Sequence, residues 1–147
     1  MDFMGPFPKS MDHDYLFVVI DRLTSQVHLI PTNTKVTAKQ VASLYLHGVP
    51  ASIVSDRDSK FTLTFWHELQ RLLGTKLLMS TAFHPQTDGA TEWANRSIGQ
   101  ILHTVVQHSQ LDWATQCPMV EFAINSSTNA TTGFAPFELT YGYMPSL

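Results

Sequence analysis

The sequence predicts a mixed α/β fold built as a single domain over residues 1–147. Three observations carry this: apolar runs of strand length, amphipathic stretches of helical period between them, and no repeat or low-complexity linker dividing the chain.

Taken in order, "DYLFVVIDR" (14–22) is apolar and β-branched and reads as a buried strand. "VHLIPT" (27–32) follows the short "LTSQ" connection, so the two predict a hairpin. "TAKQVASLYLH" (37–47) starts on a Thr cap and sets Val41, Leu44 and Tyr45 on one face, predicting a short helix. "ASIVSD" (51–56) predicts a strand ending at Asp56. "TLTFWHELQRLLG" (62–74) carries Phe65, Leu69, Leu72 and Leu73 and then a Gly stop, predicting a helix. "KLLMS" (76–80) reads as another short strand.

After the "HPQTDG" turn, residues 90–107 give the clearest helical period in the chain. At about 100° per residue, Ala94, Ile98, Ile101, Leu102 and Val105 form one stripe, while Glu92, Arg96, Gly99 and His103 share the opposite face. "DWATQCPMVEFAINSS" (112–127) predicts a further helix, interrupted or started at Pro118. The tail from Gly133 to Leu147 has no clear period.

Composition narrows the function classes. A hydrophobic fraction of 44% with 14% charged residues fits a chain with a packed core and argues against disorder. The longest apolar runs, such as "YLFVVI", fall far short of a membrane span. The opening "MDFMGPFPKS" has an acid and two prolines where a signal peptide needs an apolar region. Cys117 is alone, so neither a disulfide framework nor a cysteine zinc site is expected, which suits an intracellular protein. Net charge is −3, whereas stand-alone nucleic-acid binders are usually basic; charge alone points away from nucleic acid.

Acidic residues are the chemically suggestive feature. Asp56 ends a strand, where α/β sheets commonly meet ligands, and thirty-five residues (57–91) separate it from Glu92. Carboxylates converging from different elements repel unless a cation neutralises them, and all-oxygen ligands select Mg²⁺ or Mn²⁺. Two such ions can activate an attacking oxygen and stabilise the leaving one at a phosphodiester. Taken singly the signals are bland: Asp56 reads as a turn acid, Glu92 as a solvated or dipole-compensating helix residue, and Asp2 carries nothing. "DRDSKF" fails as a calcium loop, with Phe61 at the Gly position and His67 at the Glu position. There is no Gly-rich phosphate motif, HExxH or Gly-x-Ser-x-Gly elbow. His103 and His108 read as surface residues, Trp66 and Trp113 as packing, and Cys117 as a small buried hydrophobe.

Together "MDFMGPFPKS", "GVPASIVSDRDSKFT", "HPQTDGATEWANRS" and "PMVEFAINSSTNATTGFAPFELTYGYMPS" resemble the integrase catalytic core of gypsy-type LTR retrotransposons, over essentially the whole chain. The resemblance implies an RNase H-like fold, with a central mixed five-stranded sheet flanked by helices, and the D,D-35-E triad of retroviral-type integrases. Asp2, Asp56 and Glu92 match the triad and would hold Mg²⁺ or Mn²⁺, two ions when DNA is bound. The implied reaction is DNA integration: water trims the 3′ ends of element DNA, and the new hydroxyls attack target DNA. The alternatives are a degenerate or repurposed remnant without catalysis, serving as an interaction module, and a metal nuclease on the same fold. Ser59, Lys60, Asn95 and Arg96 match positions near DNA, and His84, Pro85, Gln86 and Gly89 match the active-site loop. The implied partners are element and target DNA and further copies of the chain, in a dimer or higher oligomer. The implied location is nuclear when functioning.

Three departures set further expectations. Residues 44–50 are about half a dozen shorter than the family pattern, which would remove about 9 Å of helix. Trp93 stands where the family commonly has Arg. The chain starts one residue before Asp2, so the first strand reads as truncated, and the zinc-binding and C-terminal DNA-binding domains are expected to be missing. Those flanking domains would supply the DNA affinity that an acidic core lacks.

Overall fold

A computed structural model describes residues 1–45, 63–73, 96–101 and 111–146. Three strands form an antiparallel sheet in the order β1-β2-β3: β1 (Asp2–Met4), β2 (Tyr15–Ile20) and β3 (Val27–Thr32). The predicted hairpin is present, with Tyr15 opposite Thr32 and Ile20 opposite Val27. Its turn is set locally: Asp21 Oδ1 accepts from Leu23 N–H at 3.0 Å, Asp21 Oδ2 accepts from the Thr24 hydroxyl at 2.8 Å, and Ser25 takes a left-handed φ of 61°. β1 pairs outside β2, with Asp2 opposite Val18 and Met4 opposite Leu16.

Leu16 through Val19 are buried without a break because both faces of β2 are covered. On one face, Phe17 and Val19 pack with α1 (Ala38–Leu44) and α2 (Leu63–Leu73) through Val41, Ala42, Phe65 and Leu69. On the other, Leu16 and Val18 pack with Ile98 of α3 (helical at 96–101) and with Trp113, Cys117 and Val120 of α4 (Trp113–Ser126).

The helix starts follow local chemistry. Thr37 caps α1 in a capping box: its hydroxyl accepts from Gln40 N–H at 3.3 Å, and Gln40 Oε1 accepts from Thr37 N–H at 2.8 Å. The helix runs to Leu44, and Tyr45 turns its ring into the α1–α2 cluster, where burial raises its phenol pKa.

Two expectations are corrected. Pro118 neither starts nor interrupts α4; it lies inside the helix, between the buried Trp113 and Val120 that anchor both halves. The tail is not irregular throughout: α5 (Pro136–Tyr141) starts on Pro136 and ends at Gly142 with φ 76°. The expected strands at 51–56 and 76–80 lie outside the described residues, so three strands of the expected five are described. Among the described residues no helix is long and apolar enough to cross a membrane.

Candidate functional site

Asp2 opens β1, the strand at one edge of the described sheet. Strand alternation sets Asp2 and Met4 on one face and Phe3 on the other. The packing agrees. Met4 joins the cluster of Leu16, Val18 and Ile98, whereas Phe3 stacks on Phe17 at 4.9 Å in the opposite cluster. Asp2 therefore belongs to the sheet face that α3 and α4 cover. Its side chain is half-buried, and Oδ1 accepts from Phe3 N–H at 2.8 Å, which ties the carboxylate to the strand start.

In α3 the sequence-read stripe holds where it is described: Ile98 is buried, Ile101 is half-buried against the same cluster and Arg96 is exposed. Gly99 lies on the face assigned to Glu92 and Arg96, and Met4 Cε is 3.8 Å from where a Cβ at Gly99 would stand. The face of this helix that carries Arg96 and Gly99 thus borders β1. Met4 and Gly99 are not among the expected site residues, although Gly99 is read on the face of Glu92. The only signal available was the alternation of Met4 with Asp2 and the heptad spacing of Gly99 from Glu92.

The face is fixed by polar bonds as well as by volume. β3 directs the N–H groups of Val27 and Leu29 away from β2, and α4 meets them with side chains four residues apart. Asn125, fully buried, accepts from Val27 N–H and donates to the Val27 carbonyl, each at 2.8 Å. Glu121 accepts from Leu29 N–H at 2.7 Å, and its other oxygen meets His28 Nδ1 at 3.3 Å. The start of α4 is held from afar. Asp112 makes no side-chain cap; instead the Ser10 hydroxyl accepts from Ala114 N–H at 3.3 Å, and Trp113 Nε1 donates to the Pro8 carbonyl at 2.7 Å. Burial pushes the Cys117 thiol up to about 12, so it stays protonated and serves packing, as expected from the sequence.

Of the expected site residues, the structure describes Asp2 and Arg96. Asp56, Ser59, Lys60, His84, Pro85, Gln86, Gly89, Glu92 and Asn95 lie outside the described residues, as do Trp93, His103 and His108. Among the described residues no three His, Cys, Asp or Glu side chains gather as a metal site. Asp2 itself fits a share in one: it is a hard oxygen donor, held by a backbone N–H and open to solvent on part of its surface.

Comparisons with known proteins extend these observations. The chain is 30% identical along its full length to the Tf2-3 and Tf2-4 transposon polyproteins of Schizosaccharomyces pombe, and it spans 12% of their length. That match covers 153 residues, six more than the chain contains. The HTLV-2 integrase catalytic core domain, solved in complex with magnesium in a trimeric form, superposes with a TM-score of 0.66 at 14% identity, covering 95% of this chain and 94% of that one. The catalytic core domain of BIV integrase gives a TM-score of 0.63 at 19% identity, covering 94% and 91%. No family model matches the sequence. The resemblance read from the sequence is borne out: the chain is related along its whole length to part of retrotransposon polyproteins, and its fold is that of retroviral integrase catalytic cores.

Proposed function

We propose that this chain is the catalytic core of a retrotransposon integrase, a metal-dependent polynucleotidyl transferase that trims the 3′ ends of element DNA and joins them to target DNA. The observation that carries the reading is local. Asp2 lies on the sheet face covered by α3, and Gly99, one heptad from Glu92, meets Met4 two residues from Asp2. The strand that carries Asp2 and the described turn of α3 thereby share a border, which supports a cation site on this face if Glu92 takes the position its sequence spacing assigns. The full-length relation to Tf2 polyproteins and the integrase-core fold support the same reading.

In this reading Asp2, Asp56 and Glu92 hold Mg²⁺ or Mn²⁺. The bound ions supply charge neutralisation at the scissile phosphate and lower the pKa of an attacking water or hydroxyl. The chain's own part is positional. Asp2 is held by the Phe3 N–H, and the face that carries it is kept in register by Asn125 and Glu121. Arg96, exposed on the face assigned to Glu92, would pair with a DNA phosphate, along with Ser59, Lys60 and Asn95. His84, Pro85, Gln86 and Gly89 would form the loop that closes on the reacting ends. The polyprotein's other domains would supply most of the DNA affinity, and the working form would be a dimer or higher oligomer in the nucleus.

The test is the reverse of strand transfer on a branched DNA with Mn²⁺, run beside Asp2→Asn, Asp56→Asn and Glu92→Gln. Each substitution is expected to lower the joined product by at least about 100-fold, with circular dichroism unchanged. Equal product from Glu92→Gln and the parent would overturn the assignment.

A further inference from the structure

Residues 1–96 contain all nine Lys and Arg together with nine of the twelve acids; residues 97–147 contain Asp112, Glu121 and Glu138 and no Lys or Arg. The whole net charge of −3 therefore falls on the C-terminal third. That third also carries a row of rings. Phe122 of α4 lies 5.6 Å from Phe137, Phe137 lies 5.6 Å from Tyr141 of α5, and Tyr141 lies 6.2 Å from Tyr143. α5 buries Pro136 and leaves most of the rest outside. Tyr141 is 51% exposed and Tyr143 63%, with Leu139 and Met144 exposed beside them.

The α5 part of the row is tied down by hydrogen bonds, and Tyr143 lies against it through the Tyr141 ring. Thr140 donates its hydroxyl hydrogen to Gln26 Oε1 at 2.8 Å, and Gln26 Nε2 reaches the Tyr141 hydroxyl at 3.5 Å. Glu138 Oε2 accepts from Ala135 N–H at 2.9 Å, and Gly142 N–H closes the helix on the Glu138 carbonyl at 2.9 Å. Phe137 and Tyr141, carried on a helix held this way, lose little entropy on binding.

We propose that this row docks a polypeptide segment carrying Lys or Arg among apolar side chains. Tyr and Phe faces attract ammonium and guanidinium groups, and the exposed Glu138 adds a carboxylate beside them. Charge complementarity selects this occupant over two others. Nucleic acid needs cations to neutralise phosphates, and the segment has none. A second copy of the same face brings no cation to the rings or to Glu138.

The experiment titrates the isotopically labelled chain with a short amphipathic peptide of Lys and Leu, and with a control in which every Lys is Glu. Amide shifts are expected to centre on residues 137–143 with the basic peptide alone. Affinity should fall at least about tenfold in Tyr143→Ser, and by less in Glu138→Gln, which keeps the cap acceptor. Three results would overturn the proposal: shifts spread over Asp12, Asp21 and Asp112 according to charge; a Tyr143→Ser chain that binds like the parent; or shifts at the row caused by an oligonucleotide or by self-association.

Discussion

Among the described residues, the two faces of the sheet are held by different physics. Below β2, Phe17, Val19, Val41, Phe65 and Leu69 meet α1 and α2 through apolar volume. Above it, a comparable apolar cluster is supplemented by side-chain-to-backbone bonds from Asn125, Glu121, Ser10 and Trp113, and Asp2 lies at its rim. Apolar contact is tolerant of small slides, because dispersion and burial are not directional. Hydrogen bonds to fixed backbone groups are directional. Among the described residues, the face that bears the candidate carboxylate is thus the one where directional bonds add to the packing.

Substitutions separate the two kinds of holding. The largest expected loss is on the apolar face. Phe65 is fully buried, with its ring 5.4 Å from Trp66 and 6.5 Å from Tyr45, so Phe65→Ala should cost about 3–5 kcal/mol in urea unfolding. On the other face, Asn125→Ala removes little apolar volume but leaves the Val27 N–H and carbonyl buried without these partners. A loss of about 2–4 kcal/mol is expected, with faster amide exchange at Val27 as its signature. A chain that loses stability without that faster exchange would show that α4 is held by volume as well.

Gly5 tests the exit from β1. Its φ is +147°, and a Cβ there would stand 2.9 Å from both the Asp14 carbonyl oxygen and the Tyr15 ring. Gly5→Ala should cost about 1–3 kcal/mol. Because the strain falls beside the Asp2 strand, activity in the branched-DNA assay should fall further than stability does.

The smallest effect concerns the base of the hairpin. Asp14 accepts from Thr34 N–H at 2.8 Å and from the Thr34 hydroxyl at 2.7 Å, and the hydroxyl bond is the main cause holding its carboxyl below the usual 3.8. A depressed folded-state pKa means that the contribution is present above about pH 4 and is lost as pH falls through the lower folded value. Asp14→Asn should therefore flatten the acid limb of the stability–pH curve below pH 4 and leave its shape near neutrality unchanged.

Much of this was legible in the chain. The 14–32 hairpin, the Thr37 cap and the Phe65–Leu69 face are written in neighbours a few residues apart, where period and turn chemistry decide. The signals for α5 were also present: Pro136 at the first turn, Glu138 two residues on and Gly142 at the end. Six residues are too few to show a period, which is why the tail read as irregular. Pro118 misled for the converse reason. A local rule against helix-interior proline was overridden by burial on both sides of it.

By itself the sequence determined the fold class, the hairpin, the acidic C-terminal third and the identity of the candidate carboxylates, because composition, period and motif are properties of the chain. Only the tertiary structure decided that Asp2 shares a face with α3, that Met4 meets Gly99, that Ser10 caps a helix more than a hundred residues away, and that Asn125 and Glu121 close the edge of β3. Those pairings join residues distant in sequence. No local propensity encodes them; they arise when burying one face of each element leaves its polar backbone groups to be satisfied by whatever the packing brings beside them.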